Sequence, residues 1–106
     1  METTTEKIQK EIKAGKVVIF MKGTPESPQC GFSARTVGIL RETGYPFHTV
    51  DILANPDIRA TLPQISNWPT FPQVFIDGKL VGGSDIVGEM YESGELQTLL
   101  KEAFKE

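Results

Sequence analysis

The chain has 106 residues, 39% of them hydrophobic and 24% charged, the ordinary balance of a water-soluble globular protein long enough to bury a core. Its net charge is −3 and its eleven cations form no run or stripe, which argues against nucleic-acid binding. No apolar stretch approaches the ~20 residues that span a bilayer, and the segment Met1 to Glu6 has neither an apolar signal core nor an Arg-rich leader.

Taken in chain order, Thr3-x-x-Glu6 is a capping-box pattern that opens a short helix with Ile8 and Ile12 on one face and Gly15 as its stop. Val17-Val18-Ile19-Phe20-Met21 is continuously apolar and rich in β-branched residues, so it reads as a strand buried on both faces. Lys22 to Gln29, with Pro25 and Pro28, reads as a loop without regular structure. Gly31 to Glu42 is helical in pattern, with Phe32, Val37 and Leu40 as expected core residues and Gly44 as its end. Phe47 to Ile52 is a second strand, and Pro56 to Ser66 a helix with Ile58, Leu62 and Ile65 at helical spacing.

Val74-Phe75-Ile76 and Lys79-Leu80-Val81 flank Asp77-Gly78, a dipeptide suited to a type I′ hairpin turn. Gly82-Gly83 ends the hairpin, Ser84 or Asp85 caps the next helix, and Gly94 separates it from a last helix carrying Leu96, Leu99, Leu100 and Phe104. The order is α-β-α-β-α-β-β-α-α. Strands joined by a crossover helix are parallel and the closing hairpin is antiparallel, so the expected fold is a single α/β domain over 1–106 with a mixed four-stranded sheet and about five helices.

Cys30, in Cys30-Gly31-Phe32-Ser33, is the only cysteine. A Cys-x-x-Cys pair at such a place makes an internal disulfide; here Ser33 holds the fourth position, so any thiolate chemistry needs a sulfur from outside the chain. An isolated cysteine is commonly just a small buried hydrophobe. At a helix start, however, free N–H groups and the helix dipole favour a thiolate, and Lys22 adds positive charge. With no disulfide framework possible, a reducing, cytoplasmic setting is expected. His48 has no ligand-spaced partner and reads as structural.

Four motifs, Met21-Lys22-Gly23-Thr24-Pro25, Cys30-Gly31-Phe32-Ser33, Trp68-Pro69-Thr70-Phe71-Pro72-Gln73 and Gly82-Gly83-Ser84-Asp85, occur in this order. Together they resemble the CGFS-type monothiol glutaredoxins, in their short single-domain bacterial form, over essentially the whole chain. The resemblance implies a thioredoxin-like fold and a glutathione site. Lys22 and Arg59 would meet the glycine end of glutathione. A cis bond before Pro72 would turn the N–H and C=O of Phe71 toward its cysteine residue, as in strand addition. Amides at Ser84 and Asp85 would hold the γ-glutamyl carboxylate, and the Asp85 side chain its ammonium. Trp68 reads as packing and loop rigidity. Many relatives carry cysteine at the position of Ser84, a difference a backbone contact should tolerate.

A [2Fe–2S] cluster usually takes four thiolates, and one chain supplies one. The resemblance implies a homodimer bridged by a cluster, ligated by Cys30 of each chain and by two glutathione molecules. It also implies exchange of one chain for a BolA-family protein, and a role in cluster transfer to apo iron–sulfur proteins, in storage and in iron homeostasis. The alternatives are a glutathione-dependent thiol–disulfide oxidoreductase using Cys30 as nucleophile, which the longer loop before Cys30 would weaken, and a redox-regulated adapter that is simply glutathionylated.

Overall fold

The computed structural model describes residues 2–105. A four-stranded sheet in the order β4-β1-β5-β6 is built from β1 (Val17–Met21), β4 (His48–Asp51), β5 (Gln73–Ile76) and β6 (Lys79–Gly82). β1 runs parallel to β4 and antiparallel to β5, and β5 and β6 form the antiparallel hairpin. The sheet is therefore mixed, as the connections require. Among the described residues five helices flank it: α1 (Thr4–Ile12), α2 (Gly31–Thr43), α3 (Pro56–Ser66), α4 (Ser84–Ser93) and α5 (Glu95–Phe104).

The continuous apolar run of β1 has a direct packing cause. Val17, Ile19 and Met21 face Val37 and Leu40 of α2, Val87 of α4 and Leu96 and Leu100 of α5. Val18 and Phe20 face Ile8 and Ile12 of α1 and Ile58 and Leu62 of α3. Alternate side chains thus enter two separate cores, and a polar residue on either face would be stranded. Phe20 and Phe75 meet edge-to-face at 5.6 Å between ring centroids. None of the helices of the described residues is long and apolar enough to cross a membrane.

Local signals in the sequence translate directly in several places. Thr3 caps α1 reciprocally with Glu6. Asp77 and Gly78 have φ of 52° and 80°, the pair of positive values a type I′ turn needs. Gly44 ends α2 in the left-handed region. α1, by contrast, ends at Ile12 with Lys13 as its cap rather than running to Gly15.

Other expectations are corrected. The segment after β1 is not irregular: β2 (Gly23–Thr24) and β3 (Ser27–Pro28) form a small antiparallel hairpin. The Lys22 carbonyl accepts the N–H of Gln29 at 2.9 Å, and Thr24 Oγ1 accepts the N–H of Ser27 at 3.1 Å. Phe32 is not core; it is 62% exposed. The inward stripe of α2 instead contains Ser33 and Thr36, both fully buried. Their hydroxyls have backbone partners, Ser33 accepting from Lys22 N–H and Thr36 donating to Phe32 C=O. Ile65 is 40% exposed, outside the cluster in which α1 covers Ile58 and Leu62. Gly83, not Ser84 or Asp85, is the N-cap of α4, because the Ser84 side chain turns inward and is buried.

Candidate functional site

Cys30 is the N-cap residue of α2, with extended φ and ψ of −155° and 135°. It is half-buried, and Gly31 beside it faces open space. Several hydrogen bonds lock this start of the helix onto the sheet. Lys22 N–H donates to Ser33 Oγ at 3.1 Å, and Gly23 N–H donates to Asp51 Oδ1 at 2.9 Å. Asp51 Oδ1 also accepts the N–H of Leu53 at 2.9 Å. The ends of β1 and β4, the β2–β3 hairpin and the first turn of α2 are thereby held as one unit.

The Cys30 thiol makes no capping hydrogen bond, but it titrates below its usual range. The backbone N–H of Ser33 is the main cause; the N–H of Phe32, the charge of Lys22 and the Ser33 hydroxyl add to it, and partial burial opposes it. This is the expected effect of free N–H groups at a helix start on an anion. The interactions favour the thiolate, so their contribution to folding is present above the unfolded thiol pKa and is lost as pH falls through the folded one. We expect alkylation of Cys30 by iodoacetamide to reach half its maximal rate below the ~8.5 of a free thiol. Lys22→Gln should move that midpoint up only slightly, because the backbone donors remain. A midpoint at or above the free-thiol value contradicts the geometry.

Beside Cys30 lies a cavity of about 580 Å³, within the range of small-molecule sites. All six residues singled out in the sequence line it: Lys22, Cys30, Arg59, Phe71, Ser84 and Asp85. They come from the end of β1, the start of α2, the first turn of α3, the loop before β5 and the start of α4. The Phe71–Pro72 peptide bond is cis. Lys22 and Arg59 supply cations, and the exposed Asp85 supplies a carboxylate at the first turn of α4. Anions are favoured at that turn, where the N–H groups lack intrahelical partners. Among the described residues no group of three or more His, Cys, Asp or Glu side chains is placed to hold a metal ion, which leaves one thiolate per chain.

Three features of the site differ from the sequence reading or add to it. Phe32 lines the cavity as an exposed ring next to the thiol. Trp68 also lines it, so its packing role is that of a cavity wall. Arg35 of α2 reaches to 3.8 Å from Asp85, lying over the bare backbone of Gly88, where an added Cβ would stand 2.7 Å from its Nη2. His48 is outside the cavity and pairs with Glu11 at 3.3 Å, joining β4 to α1, in keeping with a structural role.

The Ser84 Oγ is buried with no hydrogen-bond partner among the described residues. An unpaired buried hydroxyl costs on the order of 1 kcal/mol, whereas a thiol, a weaker donor, loses less when buried. Ser84→Ala is therefore expected to raise stability by about 1 kcal/mol. Thermal denaturation measures the change. A fall in stability would show that the hydroxyl has a partner.

A glutaredoxin family model matches residues 17–81. The chain is 59% identical to glutaredoxin 4 of Escherichia coli (strain K12) over 102 residues, covering 96% of this chain and 89% of that protein. Glutaredoxin 4 of Pasteurella multocida is 58% identical over 92% of this chain and 89% of its own length. Among solved structures, that of reduced poplar apo GrxS14 superposes with a TM-score of 0.83 at 47% identity, covering 96% of this chain and 94% of that one. A buckwheat glutaredoxin–glutathione complex superposes with a TM-score of 0.83 at 29% identity, covering 94% and 89%. With a thioredoxin-like fold, one cysteine and Ser33 at the fourth position of its motif, the chain belongs to the glutaredoxin family as a monothiol member of the CGFS type.

Proposed function

We propose that this glutaredoxin carries a [2Fe–2S] cluster as cargo, held between two chains by Cys30 of each and by the thiolates of two glutathione molecules, and passes it to apo iron–sulfur proteins in the cytoplasm. The observation that carries the reading is the position of the only thiol. Cys30 is half-exposed, biased toward the thiolate and set at the edge of a cavity whose groups complement glutathione. Lys22 and Arg59 suit the carboxylate of its glycine end, the backbone of Phe71 its central peptide, and the α4 amides with Asp85 the zwitterionic γ-glutamyl end. The buckwheat glutaredoxin structure contains glutathione, and its similarity to this chain supports the same ligand here.

A cluster needs four thiolates, and one per chain makes external ligands necessary in a dimer. Half of the ligands are then exchangeable small molecules, so the cargo leaves without unfolding of the carrier. Replacement of one chain by a BolA-family protein fits the same half-site and rests on the family resemblance. Anaerobic reconstitution with iron and sulfide tests the reading. A chiral visible circular dichroism signal is expected with glutathione and not without it; equal assembly in both would overturn it.

The low thiol titration also favours a second activity. The Cys30 thiolate can attack the glutathione sulfur of a mixed disulfide, expelling the protein thiolate. A second glutathione thiolate then attacks the Cys30–glutathione disulfide, restoring Cys30 and leaving oxidised glutathione. In the family this chain resembles, the longer loop before Cys30 goes with weak reductase activity, so slow turnover is expected. Rapid steady-state reduction of a glutathionylated peptide would make oxidoreductase activity the principal function.

A further inference from the structure

We infer that Gln73 is a positioning residue for the glutathione cavity, its side-chain amide holding the Trp68–Phe71 segment in place as a wall. The inference rests on the glutathione reading above. Gln73 is fully buried at the start of β5, opposite Phe20 of β1, in a strand otherwise made of Val74, Phe75 and Ile76. A strand buried on both faces is normally apolar throughout, and a buried primary amide is destabilising unless its groups are paired. A residue selected only to fill this space would be methionine or leucine.

The amide has one specific partner. Gln73 Nε2 donates to the Trp68 carbonyl at 3.0 Å, while Oε1 has no partner among the described residues. The carbonyl can only accept, so it is the NH2 end that faces Trp68. Trp68 is where the chain leaves α3, through the left-handed Asn67, with its own N–H donated to Pro63 C=O at 3.2 Å. The segment from Trp68 to Phe71 has no regular structure, and Gln73 clips its beginning to the strand that receives its end.

The wall also presses on the opposite side of the cavity. A Cβ added to Gly83 would lie 3.1 Å from Pro72 O and 3.4 Å from Trp68 Nε1. Wherever the wall sits, it sets the spacing between the Phe71 backbone and the amides of Ser84 and Asp85.

The test is Gln73→Met, which keeps length and volume but removes the donor. Trp68 is the only tryptophan, so its acrylamide quenching reports the wall itself. Glutathione affinity by calorimetry is expected to fall roughly three- to tenfold, the range of one net hydrogen bond. Trp68 quenching should rise while the melting temperature holds or increases. Unchanged affinity with unchanged quenching would overturn the inference, because a packing role is preserved by methionine. Should the variant not fold, side-chain amide exchange in the unaltered protein decides: slow exchange at Gln73 with a nuclear Overhauser contact to Trp68 supports the clip, and fast exchange refutes it. If the unaltered protein binds no glutathione, the proposed function fails, while the quenching and exchange results still judge the clip.

Discussion

Cys30→Ser is expected to abolish the proposed cluster binding and leave the fold intact. Cys30 provides the chain's only thiolate, and an alcohol remains protonated at neutral pH where the cysteine is biased toward its anion. The fold should not suffer, because Cys30 is half-exposed and packs in neither apolar cluster. Its structural position is the N-cap of α2, where serine is a preferred residue. The new hydroxyl can accept the N–H of Phe32 or Ser33, a gain of up to about 1 kcal/mol. Visible circular dichroism after reconstitution and a thermal melt read the two halves of the prediction. Retained cluster would move the ligand elsewhere; loss of the fold would make Cys30 a core residue.

Gly23→Ala is expected to be the most destabilising of the glycine-to-alanine changes around the site. Gly23 has φ of +92°, and an added Cβ would stand 2.5 Å from Ser27 O and 2.9 Å from Gln29 N. Both are backbone atoms, one in the paired strand β3 and one directly after it, so no side-chain rotation relieves the clash. Positive φ for a residue with a Cβ costs about 1 kcal/mol or more, and overpacking adds about 1–3 kcal/mol. A loss of about 3 kcal/mol follows, or roughly 10–20 °C in melting temperature for a domain of this size. Gly31→Ala is the control: no atom lies within 4 Å of the added Cβ, and the position is helical, so stability should hold or rise slightly. Equal melting temperatures for the two variants would mean that the β2–β3 hairpin is not held as one unit with the start of α2.

Strong local signals were the ones legible in the sequence. The bounds of α3 at Pro56 and Ser66, the Asp77-Gly78 turn and the two-faced burial of β1 each depend on residues close together. The β2–β3 hairpin was not legible, because two-residue strands have no periodicity and their Pro and Gly residues imitate an open loop. Phe32 was misplaced because hydrophobicity alone assigned it to the core. Ser33 and Thr36 take the inward positions, through backbone hydrogen bonds that no hydropathy pattern records. The six site residues span positions 22 to 85 in five segments, and no spacing rule unites them; the family resemblance did so, and the fold brings them to one cavity. Arg35 and Gln73 escaped because their importance lies in contacts with Asp85 and with the Trp68 carbonyl.

The decisive measurement is native mass spectrometry of the anaerobically reconstituted protein. The expected species contains two chains, one [2Fe–2S] cluster and two glutathione molecules, and it dissociates to cluster-free monomers when glutathione is removed. A cluster-bearing species without glutathione, or a single chain holding a cluster, would contradict the shared-ligand site at Cys30.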